Sequence, residues 1–164
     1  MSNTTPNLPH VVIIGAGFGG LQAAHRLSAS PVRITLIDRQ NYQLFQPLLY
    51  QVATAGLSVD DIAYPIRAMV KDWENVRFHM AEVHSIDCAA KTVITEADTL
   101  SYDYLIVAAG GATNFFGLAN VQKYGFGMKT LDEAVNIRNH LLKMFELASH
   151  EQNSETRRAL LTFL

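Results

Sequence analysis

Four glycines, Gly15, Gly17, Gly19 and Gly20, interrupt the stretch VVIIGAGFGGLQAAHRL at residues 11–27. An apolar, β-branched segment precedes them, and the pattern predicts a strand over residues 10–15. After them Leu21, Ala24 and Leu27 recur at helical spacing, which predicts a helix from Gly17 to about Ser28. The order Gly15-x-Gly17-x-x-Gly20 gives each glycine a task. Gly15 permits the tight turn from strand to helix, Gly17 lets the backbone approach a pyrophosphate, and Gly20 lets the helix lie close on the strand. The helix start, with Phe18 and Gly19 in its first turn, presents N–H groups and the positive end of the helix dipole to phosphates.

A second β-branched strand, VRITLID, follows Pro31 and ends at Asp38, 18 residues after Gly20. An acid at that point accepts both hydroxyls of an adenosine ribose and repels a 2′-phosphate, which disfavours an NADP-type ligand. The motif alone is only a glycine-rich turn. Strand, motif, helix, second strand and terminal acid together make a dinucleotide cradle of Rossmann type. They do not separate FAD from NAD, because both carry the same adenosine-diphosphate half.

The remainder of the chain reads as follows. Residues 39–57, RQNYQLFQPLLYQVATAGL, form a long, unusually apolar loop, and such loops tend to be functional. Ser58-x-x-Asp61 resembles a capping box and predicts a helix over about 59–71, although Pro65 falls inside it. NVRFHMAEV predicts a third strand over 75–83. VHSID, KTVIT and YDYLIVAAGG form a short meander that leads back to a buried strand ending in glycines. Tyr102 and Asp103 enter that strand and cap a turn. Thr130-x-x-Glu133 is a second capping box, and an apolar stripe from Leu131 to Ala148 predicts a helix over 130–149. ALLTFL, at 159–164, reads as a buried-type strand.

Composition removes several classes. With 164 residues, 49% apolar and 17% charged, the chain can build a core and is not of disordered type. A net charge of −2 with no basic block disfavours nucleic acid as a partner. No apolar run reaches the roughly 20 residues that span a bilayer. The first ten residues lack the basic and apolar regions of a secretory signal, so the NTT sequon at 3–5 carries no meaning. The single cysteine, Cys88, cannot form an internal disulfide, which fits a reducing compartment. The six histidines show no metal-ligand spacing and read as structural or solvated, and no metal is expected. No Ser-His-Asp set or carboxylate pair stands out, so no protein group is assigned a catalytic role; a cofactor would do the chemistry.

IDRQNYQLFQPLLYQVATAGLS at 37–58, IAYPIR at 62–67, LSYDYLIVAAGGATNFFG at 100–117 and KTLDEAVNIRNHLL at 129–142 closely resemble the type II NADH dehydrogenases. These NADH:quinone oxidoreductases belong to the pyridine nucleotide-disulfide oxidoreductase superfamily. The resemblance runs from about residue 10 onward, and NYQLFQPLLYQVATAGL is its most specific part. It implies that the first glycine motif binds FAD and not NADH. Gly15, Gly17, Phe18, Gly19 and Gly20 would hold the pyrophosphate, and Asp38, with Arg39 beside it, the adenosine ribose. Val83 matches a strand end whose backbone faces the adenine. Ala109 and Gly110 match a second FAD-contacting turn, where many members have threonine in place of Ala109. The loop around Gln46, Pro47, Leu48 and Leu49 would lie beside the isoalloxazine ring, with Gln46 and Gln51 as partners for its edge and Thr54 and Gly56 lining the same pocket. Leu48, Leu49 and Tyr50 read equally well as ordinary core.

Disulfide reductases of the superfamily carry a redox cysteine pair after the second strand. None occurs here, which implies electron flow from NADH to flavin without a thiol relay. Sulfide:quinone reductases also need cysteines for sulfur handling, and Cys88 is alone. The expected organisation is a polar tail (1–9), the first segment of an FAD-binding domain (10–128), and a connecting helix with the first strand of an NADH-binding domain (129–164), the α/β fold being incomplete. In the family a second glycine motif binds NADH, and later amphipathic helices dock on the membrane and admit quinone, at its cytoplasmic face. On this reading the chain is an FAD-binding portion, inactive alone, without proton pumping, and prone to self-association through its end. The alternatives are a non-catalytic nucleotide-binding fragment, an FAD subunit whose NADH domain is a separate chain, or a portion of another flavin-dependent NAD(P)H or ferredoxin-type reductase.

Overall fold

The computed structural model describes residues 8–163. Residues 1–7 of the expected tail, with the sequon, and Leu164 lie outside the described residues. Two units are present, one made of the residues up to Gln43 together with Tyr64–Gly111, the other of Leu44–Ala63 and the residues from Ala112 onward.

The first unit is built on a parallel four-stranded sheet. Its strands are β1 (His10–Ile14), β2 (Arg33–Asp38), β5 (Val76–Met80) and β9 (Tyr104–Val107), in the order β5-β2-β1-β9. β1 is buried along its whole length, as the inner strand of a sheet covered on both faces must be. Alternation sorts its side chains. Val11 and Ile13 join Ile34, Leu36, Val76 and Phe78 on one face, under Leu21 and Ala24 of α1 (Phe18–Leu27) and Ile66 and Val70 of α3 (Ile66–Val70). Val12, Ile14 and Ile37 face the other way and pack with Ala81 and Val93. The cover on that side is an antiparallel meander of β6 (Val83–Asp87), β7 (Thr92–Thr95) and β8 (Thr99–Ser101). The parallel sheet with a small meander is the α/β architecture expected from the sequence.

Two polar side chains tie this unit together. The Asn75 amide nitrogen lies within hydrogen-bond distance of the Leu27, Ser30 and Val32 carbonyls, stapling the turn between α1 and β2. His10 is 5% exposed; its Nδ1–H donates to the Ser101 carbonyl at 2.6 Å and its Nε2 accepts from the Thr35 hydroxyl at 2.8 Å. Asp103 secures the same strand end by accepting from the His10 N–H and donating its own to the His10 carbonyl.

β3 (Tyr42–Leu44) and β4 (Ala63–Pro65) pair as a two-stranded ribbon. In the second unit, α2 (Leu49–Ala53) packs on α5 (Leu131–His150) through Leu49, Val52, Ala53 and Ala134, with Ile62. α5 starts at the expected capping box: Thr130 Oγ1 accepts from the Glu133 N–H, and Glu133 Oε2 accepts from the Thr130 and Lys129 N–H groups. Those bonds hold the Glu133 carboxyl below its usual pKa. α4 (Ala119–Tyr124) and α6 (Ser154–Leu160) complete this unit.

Several local expectations are corrected. The Ser58–Asp61 capping box forms, but it opens only a 3-10 turn, Val59–Asp61, and not a helix to 71. Pro65 is the reason: it lacks an N–H and sits at φ −60°, ψ 122°, ending β4 and preceding α3. The strand expected over 75–83 ends at Met80, and Val83 opens β6 in the meander. The loop at 39–57 contains β3, a 3-10 turn and α2. ALLTFL is not a strand: α6 runs to Leu160 and a turn follows. No strand pairs with it among the described residues, and a helix satisfies its own backbone. Asn153 favours that outcome by accepting from the Glu155 and Thr156 N–H groups.

Candidate functional site

The parallel strands end together, and the glycine motif lies at that end. Directly after β1, Gly15 takes φ +97°, and its N–H donates to the Ile37 carbonyl at 2.7 Å. A Cβ there would fall on the Ala108 carbonyl oxygen, so both conformation and space demand glycine. Gly20 is equally constrained, because a Cβ on it would strike the Gly15 carbonyl oxygen. This is the close helix–strand approach that the third glycine of such a motif permits. Gly17 differs. It is exposed, precedes the first turn of α1, and has no atom within 4 Å of an added Cβ. Nothing in the fold requires glycine at 17, and the backbone there is open to a group approaching from outside. Phe18 and Gly19 are exposed beside it. A Cβ on Gly19 would make only an ordinary 3.7 Å contact with the Ala108 Cβ. No side chain caps α1, and no acid occupies its first turn.

Asp38 closes β2 and is part of this turn. Its Oδ2 accepts from the buried Ala16 N–H at 2.7 Å, and its Oδ1 accepts from the Gln40 N–H at 2.9 Å. The remaining lone pairs of a carboxylate can still accept from a ligand hydroxyl. This bracing of the glycine turn by the strand-end acid was not read from the sequence. Its signal was the acid's position, but the bond spans 22 residues and only the paired strands bring its ends together. Arg39 is exposed next to it.

After β9, the Ala108 N–H donates to the Ile14 carbonyl at 2.7 Å, laying the Ala108–Ala109 backbone on Gly15. Ala109 is exposed, and Gly110 takes φ +73° with open space around it. Gly15, Gly17, Gly20, Asp38, Ala109 and Gly110 therefore gather at one end of the sheet. Val83 stands differently from its expected place at a strand end of that sheet. It is half-buried in β6, opposite Thr95, and packs against the core of Val12, Ile14 and Ile37.

Gln46 and Pro47 belong to the second unit. They form an exposed 3-10 turn, Gln46–Leu48, which runs directly into α2. Leu49 is core, Leu48 is partly buried against the same cluster, and Tyr50 is 51% exposed. Gln51 donates to the Tyr50 hydroxyl at 3.0 Å, and Thr54 donates to the Tyr50 carbonyl.

A glycine turn braced by an acid, at the carboxyl ends of parallel strands, defines a dinucleotide-binding α/β protein. Comparison with known proteins narrows this. The pyridine nucleotide-disulphide oxidoreductase family matches residues 9–154, and the chain belongs to that family. It is 43% identical to the type II NADH:quinone oxidoreductase Ndh of Mycobacterium tuberculosis over 162 residues, 96% of this chain and 35% of that protein. It is 33% identical to the demethylphylloquinone reductase NdbB of Synechocystis, over 88% of this chain and 38% of that one. Among solved structures, NDH2 of Plasmodium falciparum in complex with NADH superposes with a TM-score of 0.80 at 29% identity, covering 92% of this chain and 32% of that one. The resemblance to type II NADH dehydrogenases read from the sequence is borne out. The chain spans about a third of the length of these relatives.

Proposed function

We propose that the chain is the FAD-binding portion of a type II NADH:quinone oxidoreductase. The observation that carries this is Gly17. It has open space where a side chain would stand, at the start of α1, in a turn where the fold itself demands Gly15 and Gly20. A pyrophosphate fits that opening. Asp38 would accept the adenosine ribose hydroxyls and keep out a 2′-phosphate. Ala109 and Gly110 would face the cofactor from the second turn, and the Val83 backbone the adenine. Gln46 and Pro47 would lie against the flavin ring. When bound, FAD supplies the two-electron redox chemistry that links NADH oxidation to quinone reduction. The residues of this chain bind, orient and shield.

The reading divides the chain into an FAD-domain segment, 10–128, and the beginning of an NADH-binding domain, 129–164. It places NADH recognition, quinone access and attachment at the cytoplasmic membrane face in parts of the relatives that these residues do not match. Among the 164 residues, only Gly15–Gly20 form a complete G-x-G-x-x-G. Among the described residues no helix is long and apolar enough to cross a membrane.

The test is to purify the 164-residue chain and measure bound flavin by absorbance, FAD affinity by calorimetry, and NADH:quinone turnover. The expected outcome is saturable FAD binding with turnover near zero. A chain that takes up no FAD would leave only a non-catalytic fragment, and turnover at the rate of a complete enzyme would overturn the assignment of NADH binding to other parts.

A further inference from the structure

From its edge inward the parallel sheet runs β5-β2-β1, and all three strands point to the same end. The glycine turn follows β1, and Asp38 closes β2. The last residue of β5 is Met80, and the strand register sets it directly beside Asp38. Neighbouring strands lie about 4.8 Å apart, so the two residues are immediate neighbours. They also share a face. Alternation leads from Val76 and Phe78 to Met80, and from Ile34 and Leu36 to Asp38, and those four apolar residues belong to one core cluster. The Asp38 carboxylate reaches the N–H of Ala16, which belongs to the same cluster. Val76 and Phe78 are 5% and 8% exposed, but Met80 is 54% exposed. A large apolar side chain thus stands open beside the strand-end acid.

We propose that Met80 is the platform on which the adenine ring of the dinucleotide lies, an inference that rests on the FAD reading of the cradle. The order of the ligand follows the order of the strands. The pyrophosphate sits at the turn after β1, and the ribose on Asp38 at the end of β2. The base is attached at C1′, beside the 2′-hydroxyl, and extends away from the phosphates over the end of β5. The open side chain there is Met80. A flat purine needs apolar contact on its faces. A thioether is unbranched, polarisable and favourable against an aromatic ring. Met80 therefore serves the face of the ring, and the polar edge is left to backbone groups such as those of Val83.

The full chain is isotope-labelled at its methionine methyl carbons and followed by NMR during titration with ADP, with FAD and, as the control, with inorganic pyrophosphate. Met80→Leu assigns the Met80 signal among the five methionines. ADP and FAD are expected to move that signal upfield through the ring current of the adenine, whereas pyrophosphate leaves it in place. In calorimetry Met80→Ala is expected to weaken ADP and FAD alike, about three- to tenfold, and Met80→Leu to recover most of the loss. Because the side chain is exposed, both variants are expected to melt near the parent. A parent chain that binds ADP and FAD without moving the Met80 methyl overturns the platform and leaves the FAD reading standing. So does an alanine variant that binds both as tightly as the parent. A parent that binds neither ADP nor FAD overturns the FAD reading, and the platform with it.

Discussion

The glycines of the cradle separate what the fold needs from what a ligand needs. Gly17→Ala places a methyl in open space. Its melting temperature is expected to stay near that of the parent, within about 0.5 kcal/mol of stability, while FAD affinity drops about tenfold or more as the methyl meets the pyrophosphate. Gly20→Ala drives a Cβ into the Gly15 carbonyl. It is expected to destabilise the first unit by about 1–3 kcal/mol and to lose FAD as a consequence. Thermal melts and calorimetry on the two variants check the pair, and equal losses of stability would contradict it. Asp38 offers a second separation. Asp38→Ala leaves the buried Ala16 N–H without its acceptor, a cost of about 1–3 kcal/mol. Asp38→Asn keeps an acceptor and removes the charge. It is expected to melt above the alanine variant yet bind FAD less tightly than the parent.

Elements were legible where the signal was local. β1, α1 and β2 each announced themselves by periodicity, and the Thr130 capping box placed the start of α5 to within a residue. The misreadings lay where a distant partner decides. Met80 ends β5 because its partner strand β2 ends at Asp38, and beyond the last ladder bond the Glu82 N–H turns to the Glu96 carboxylate, neither visible from NVRFHMAEV. α2 hides inside an apolar loop because its five residues owe their helicity to packing on α5. Residues 159–163 had a strand's composition but no neighbouring strand. His10 gives this scale its pH dependence. Burial, chiefly, and then Arg33 lower its pKa below 6.5 in the fold. The unfolded chain therefore takes up a proton first as pH falls. The stability His10 contributes is complete above about pH 6.5 and declines as acid reaches the lowered folded value. Melting temperatures measured between about pH 7.5 and 5.5 are expected to fall. His10→Gln is expected to flatten that slope; an equally steep profile in the variant would assign the effect elsewhere.

For the whole molecule, the exposed apolar groups of the second unit have a consequence. Leu142, Phe145 and Leu147 on α5 are each close to half exposed or more, and Phe116 and Tyr124 are 83% and 71% exposed. So much uncovered apolar surface favours association. The purified 164-residue chain is expected to run as dimers or larger species in size-exclusion chromatography with light scattering; a monomer at micromolar concentration would refute this. The candidate site was legible at the same scale only in part. Gly15, Gly17, Gly20 and Asp38 were readable because the strand–turn–helix unit is contiguous. The contribution of Ala108 to their packing was not, since it depends on β9 pairing with β1 across 93 residues of sequence.

The two bonds of Asp38 bear on how such a protein can change its cofactor preference over generations. A carboxylate that only touched a ribose could be exchanged for a smaller or basic residue in one step, opening the way to a phosphorylated nucleotide. Here the same oxygens also close the Gly15–Ala16 turn and the turn at Gln40. A mutant that loses both oxygens frees the Ala16 and Gln40 N–H groups and loosens the loop proposed to hold the pyrophosphate. Drift at this position is therefore channelled: asparagine, which keeps an acceptor for the Ala16 N–H, is the open first step, whereas a smaller or basic residue needs a new acceptor to arise beforehand.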